Sequence, residues 1–187
     1  MKVTICGDYF TSPNNEIPTI SQSIKKIFKD SDSVLINFEG PVTGVNPKKS
    51  IKTGPNLCQN KSSIDYLQQC GVTDLSLANN HFYDYGQESI INTVNIINSL
   101  NMGFIGCRIR HKSKLTVVKS DQLKIGLLAY AEEEWCGSNN EEITISIIDD
   151  IDVTRDIQEA KSHCDGVVVV LHGNNEYNKL PSPSLRK

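Results

Sequence analysis

Short runs rich in aliphatic and β-branched residues alternate along this chain with longer stretches whose apolar positions recur every three or four residues. The run KVTIC, from Lys2 to Cys6, reads as a first buried strand. PTISQSIKKIFKD then sets Ile20, Ile24, Ile27 and Phe28 on one face and predicts a helix. SVLINF is a second strand. SSIDYLQQCG predicts a helix opened by a serine cap and closed by Gly71, and VTDLSLA a third strand. QESIINTVNIINSLN carries Ile90, Ile91, Val94, Ile96 and Ile97 in a helical stripe, and MGFIG follows as a short strand. KLTVVKS and LKIGLLAYA, parted by DQ, predict an antiparallel hairpin. VTRDIQEAKSHCDG is a further helix, and VVVVLHG a continuous apolar strand of the kind buried on both faces.

Strands and helices alternating with short connections predict an α/β fold, a layered sandwich with a mostly parallel central sheet flanked by helices. With 187 residues, 38% of them hydrophobic and 22% charged, the chain suits a single domain over residues 1–187 with a sizeable core. A net charge of -3 supplies no general basic field, so nucleic acid is not an expected partner. The basic exceptions, Lys48 with Lys49 and the run from Arg108 to Lys112, read as solvated loop charge or as a landing site for a polyanion. Six cysteines fall singly, without a CxxC pair, which removes zinc-ribbon and thioredoxin readings; Cys6 reads as a small core residue. Met1 leads straight into the first strand without an apolar leader, and no stretch approaches membrane-spanning length, so the expected location is cytoplasmic. The loop from Gly40 to Asn56, rich in Gly, Pro and Lys, is too polar for core and long enough to be a binding loop.

In open α/β sheets ligands bind outside the carboxyl ends of the strands. After the first strand comes Gly7-Asp8, and the second ends in Asn37-Phe38-Glu39. The third gives Asn79-Asn80-His81 with Asp84, and the last His172 with Glu176. Oxygen and imidazole donors without thiolate suit Mn²⁺, Zn²⁺, Fe or Mg²⁺, and two such ions can clamp a displacement at phosphorus. Each residue also has a plainer reading: Asp8 as a turn or cap residue, Asn37 and Glu39 as partners of turn backbone, Asn79-Asn80 as left-handed turn residues, His172 as a core histidine. Their coincidence at successive strand ends favours a site.

Assembled, these residues resemble the CapA family of capsule and poly-γ-glutamate biosynthesis proteins, whose fold is similar to that of calcineurin-like metallophosphoesterases. The matching elements are Gly7-Asp8, NFEGPVT from Asn37, LANNHFYDYG from Leu77, GFIGC from Gly103, DGVVVVLHGNNEY from Asp165 and the terminal PSPSLRK. The resemblance implies a metal-dependent hydrolase with a dinuclear site: Asp8, Asn37, Glu39, Asn80 and His172 as ligands, Glu39 in the bridging place. His81 would protonate a leaving oxygen or stabilise the transition state, with Asp84 as its orienting acceptor or as a helix cap. Glu176, Lys48 and Lys49 would meet substrate, an anionic polymer or a phosphoester, with Lys52 nearby in the same loop. Two departures accompany the match. HGNNEY stands where the family reads HWGxEY, and the chain stops before the final strand and histidine loop that complete the family's site. The expectation is a domain lacking its C-terminal part, with a partner subunit to restore it; the alternative function is a non-catalytic capsule-assembly or binding component, or an inactive fragment, with an incomplete metal site.

Overall fold

The computed structural model describes residues 1–45, 47–109, 112–113, 115–133, 143–173, 180 and 183. Four strands form a wholly parallel sheet in the order β1 (Val3–Tyr9), β2 (Ser33–Phe38), β3 (Asp74–Ser76), β4 (Gly103–Ile105). Helix α1 (Gln22–Lys29) connects β1 to β2, α2 (Lys61–Gln69) connects β2 to β3, and α3 (Gly86–Ser99) connects β3 to β4. A second sheet follows. It contains the predicted hairpin, β7 (Thr116–Lys119) antiparallel to β8 (Lys124–Ala131), and β10 (Gly166–His172), which lies parallel to β8 after crossing over through α4 (Asp150–Lys161). A small antiparallel sheet of β5 (Cys107–Ile109), β6 (Lys112–Ser113) and β9 (Ile143–Ile145) was not expected from the pattern, because its strands are two or three residues long. The parallel sheet flanked by helices is thus present, and the β-structure of the described residues is divided among three sheets.

Period-two alternation along β8 explains the layering. Leu127, Ala129 and Ala131 face the large apolar cluster shared with the first sheet and α1–α3, whereas Leu128 and Tyr130 face α4 and Ala160. Tyr130 is fully buried, and its hydroxyl donates to Asp156 of α4 at 3.0 Å, so the outer layer is fixed by a polar contact as well as by packing.

Three expectations about burial are corrected. β1 and β10 are edge strands, so β1 is not buried as expected and the VVVVL run is only half covered; Ile5 is 43% and Leu171 50% exposed. On α1, Phe28 alone reaches the core; Ile24 and Ile27 project from the helix and are 42% and 46% exposed. On α3 the stripe holds at Ile90, Val94 and Ile97, but Ile91 turns outward. Caps differ too. α2 starts from Asn60 without a side-chain cap bond, so no serine cap is used, whereas Asp149 caps α4 by accepting from the N–H groups of Ile151 and Asp152.

Two local devices deliver the strand ends. Between Ile5 and Asp8 the β1 register slips by one residue against Leu35 and Asn37, a bulge that brings Asp8 opposite Asn37. At Gly106 a φ of +84° lets the turn after β4 lie against Ala78; a Cβ there would stand 2.5 Å from the Ala78 nitrogen. The chain after β3, which carries Asn79 to His81, is held by that contact. Among the described residues no helix is long and apolar enough to cross a membrane.

Candidate functional site

The C-terminal ends of β1, β2, β3 and β10 meet, although their residues come from both larger sheets. Asn37 donates from Nδ2 to Asp8 Oδ1 at 2.6 Å and stands 3.2 Å from His172 Nδ1. Nε2 of His172 lies 3.1 Å from Asn80 Oδ1, and its Nδ1 lies 3.5 Å from Asp8 Oδ1. His172 is therefore the residue that joins the second sheet to the first at this rim.

The electrostatics of the two carboxylates diverge. The hydrogen bond with His172, aided by Asn37, holds the Asp8 carboxyl below the usual range. Glu39 is pushed up, first by burial and then by the negative charge of Asp8, with His81 and His172 opposing. Two acidic groups held together in this way favour a cation between them. The donor set fits one, provided the amides take part: among the described residues no group of three or more His, Cys, Asp and Glu side chains is placed to hold a metal. Asn37 presents its amino group to Asp8, with its carbonyl toward Asn79 Nδ2 at 3.4 Å, so ligation by Asn37 requires the amide to turn over. Asp8 is the open member, its side chain 52% exposed.

Beside this rim lies a second cluster. His81 Nδ1 is 2.7 Å from Asp84 Oδ2, which also accepts from the Leu57 N–H at 2.7 Å. The other Asp84 oxygen is ion-paired with Lys52, the two side chains being 1% and 3% exposed. Asp84 is thus committed to His81 rather than to capping α3, whose N-cap is Tyr85. Lys52, expected to face a polyanion with Lys48 and Lys49, is buried instead, because Asp84 would otherwise be a buried charge without a counter-ion. Lys48 and Lys49 are exposed. The loop that carries them is tied down further along, where the Ser50 N–H donates to Asp84 O at 2.8 Å and the Ser50 hydroxyl to Tyr83 O at 2.8 Å. Glu176 lies outside the described residues.

Sequence reasoning passed over Glu132 and Gln59, and gave Asn79 no role beyond its place at a strand end or in a turn. Asn79, fully buried, donates to Phe38 O at 3.0 Å and accepts from the N–H groups of Gly40 and His81, fastening the end of β2 to the His81 turn. Glu132 sits at the end of β8, and its N–H donates to His172 O at 3.0 Å; reading the end of LLAYA as the other strand ends were read would have found it. Gln59 gave no signal, since it sits in the approach to α2 and follows no strand in the sequence, and Lys52 was read only as a loop charge facing a polyanion.

Comparison with known proteins gives a consistent result. The model of the family described as bacterial capsule synthesis protein PGA_cap matches residues 3–187. The PGA biosynthesis protein CapA of Bacillus subtilis (strain 168) is 30% identical over 174 residues, which are 90% of this chain and 46% of that protein. The capsule biosynthesis protein CapA of Bacillus anthracis is 26% identical over 179 residues, 88% of this chain and 42% of that protein. The chain therefore spans less than half the length of either relative. Among solved structures, a Staphylococcus aureus protein assigned as a 5'-nucleotidase superposes with a TM-score of 0.54 at 13% identity, covering 97% of this chain and 39% of its own. That likeness shows the fold, an α/β arrangement of the metallophosphoesterase type.

Proposed function

The chain belongs to the bacterial capsule synthesis protein PGA_cap family, and from that premise we propose that it carries the metal-dependent hydrolytic site of a CapA-like protein of capsule or poly-γ-glutamate biosynthesis. The observation that carries this reading is the meeting of Asp8, Asn37, Asn80 and His172 from four strand ends of two sheets. Asp8, Glu39, Asn80 and His172, with Asn37 after its amide turns, would hold one or two divalent ions of the Mn, Zn, Fe or Mg class. Bound there, such ions supply charge stabilisation at a phosphoryl or carbonyl oxygen.

The remaining steps fall to the chain's own groups. Asp84 fixes the His81 ring through Nδ1, which leaves Nε2 as the atom that hands a proton to a leaving oxygen. Lys52 supplies the counter-charge to Asp84 by pairing with its second oxygen. Lys48 and Lys49, exposed on the anchored loop, suit an anionic polymer or phosphoester substrate. Hydrolysis of bis(p-nitrophenyl) phosphate in the presence of Mn²⁺ tests the reading. Turnover lost in Asp8→Asn, and lost in His81→Ala while Mn²⁺ still binds, supports it; equal turnover in both variants removes it.

A second reading, a non-catalytic assembly component, draws on the need for amides to complete any metal site. It predicts folded protein with no turnover on phosphoester or γ-glutamyl substrates at any metal concentration. In either reading, the outer edge of β1, which pairs with no further strand among the described residues, suits a polypeptide partner that adds an extended segment there.

A further inference from the structure

Gln59 stands in the approach to α2 and is 1% exposed. Among the described residues its side chain bonds to main chain alone. Oε1 accepts from the Thr11 N–H at 3.1 Å, and Nε2 donates to Tyr9 O at 3.1 Å and to Glu39 O at 3.0 Å. Its own N–H donates to Pro41 O at 2.9 Å, and a parallel bridge pairs it with Val42. The segments it joins are the two that leave β1 and β2. Tyr9 follows Asp8 directly, and Glu39 is itself a candidate ligand, whose N–H adds a third link by donating to Tyr9 O at 3.0 Å.

Something must hold these two strand ends together. Asp8 and Glu39 each bring a carboxylate to neighbouring strand ends, and like charges there push the ends apart. The two hydrogens of the Gln59 amide oppose that push by tying the Tyr9 and Glu39 carbonyls to one nitrogen. An aliphatic side chain of similar size would fill the space and leave three main-chain groups without these bonds. A glutamate would set an oxygen against both carbonyls.

We propose that Gln59 is a positioning residue of the candidate metal centre: its amide sets the spacing of the strand ends that bear Asp8 and Glu39, and through that spacing the affinity for divalent cations. The inference rests on the metal reading above. It acts through the ligands without touching the ion, and outer partners of this kind typically change metal affinity 10- to 100-fold.

The test is calorimetric titration with Mn²⁺ of the wild type, Gln59→Leu, Gln59→Glu and Thr73→Val, at a temperature where circular dichroism shows each fully folded. Thr73 is a control for lost stability at the opposite end of the sheet, where its hydroxyl donates to Asp74 at 2.6 Å and accepts from the Val34 N–H at 2.8 Å. The expected result is roughly 10- to 100-fold weaker binding in both Gln59 variants and unchanged binding in Thr73→Val. Folded Gln59 variants that bind as tightly as the wild type overturn the inference and leave the metal reading standing. A wild type that binds no Mn²⁺ overturns both. Hydrogen exchange on the wild type gives a check that does not depend on variants folding: Mn²⁺ should slow exchange of the Thr11 and Glu39 amides more than that of Val34, and equal effects at all three count against the role of Gln59.

Discussion

The buried ion pair between Lys52 and Asp84 offers a double-mutant cycle with a sharp expectation. The two side chains are 3% and 1% exposed, so neither charge can turn to water when the other is removed. Asp84→Asn keeps the size and an acceptor for the Leu57 N–H, but strands the Lys52 ammonium. Removing one partner of such a pair costs about 3–5 kcal/mol. Lys52→Met strands the carboxylate, which retains His81 at 2.7 Å and the Leu57 N–H at 2.7 Å, so its cost should fall at about 3 kcal/mol, the lower end of that range. Removing both charges together leaves no buried ion and should cost about 1–2 kcal/mol, since replacing a whole buried pair is close to neutral. Urea unfolding followed by circular dichroism measures all four proteins. Single costs near 4 and 3 kcal/mol and a double cost near 1–2 imply a coupling of about 5–6 kcal/mol. Additive effects, or single variants as stable as the wild type, would refute the claim that the pair locks the 50–57 loop onto the His81 turn.

Further outcomes follow from other parts of the molecule. Glu39 has a raised folded pKa, so it binds its proton more tightly when folded, and stability falls as pH rises through the window from its unfolded value upward. Glu39→Gln should therefore raise the melting temperature at pH 7 and lose that advantage below pH 4. Asp8 has a depressed folded pKa; its contribution is present above the unfolded value near 3.8 and disappears as pH falls through the folded one, so Asp8→Asn should lower the melting temperature at pH 7 and not at pH 2. On α1, Ile27→Glu should change stability by less than about 0.5 kcal/mol, whereas Phe28→Ala should cost about 3–5 kcal/mol; equal costs in urea unfolding would mean that the helix is packed the other way round. Gly106→Ala should unfold the protein or cost more than about 3 kcal/mol, since both the positive φ and the approach to Ala78 exclude a Cβ; a well-folded variant by melting curve would contradict the turn geometry.

How much of this was legible in the sequence depended on range. Hydrophobic period placed the long elements, because a strand such as SVLINF and a stripe such as Ile90, Val94 and Ile97 each carry several agreeing positions. Strands β5, β6 and β9 carried too few residues to register a period. Edge strands were misjudged for a related reason: apolar content records what a strand can bury, and says nothing of whether a neighbour lies beside it. At the rim, the rule that ligands gather at strand ends found Asp8, Asn37, Asn80 and His172, and the structure brings them together. The same rule could not find Lys52 or Gln59, whose positions depend on a long loop folding back over the strand ends. Nor could it find the β1 bulge, since KVTICGDY alternates no differently with or without one extra residue.

The central claim is that the rim formed by the two sheets is a metal centre. Titration of the intact chain with Mn²⁺, beside Asp8→Asn and His172→Ala, tests it most directly, because these two residues come from different sheets and meet only in the folded site. The account predicts saturable binding by the wild type and its loss in both variants, each remaining folded by circular dichroism. A folded wild type that takes up no Mn²⁺, or variants that bind as well as the wild type, would contradict it.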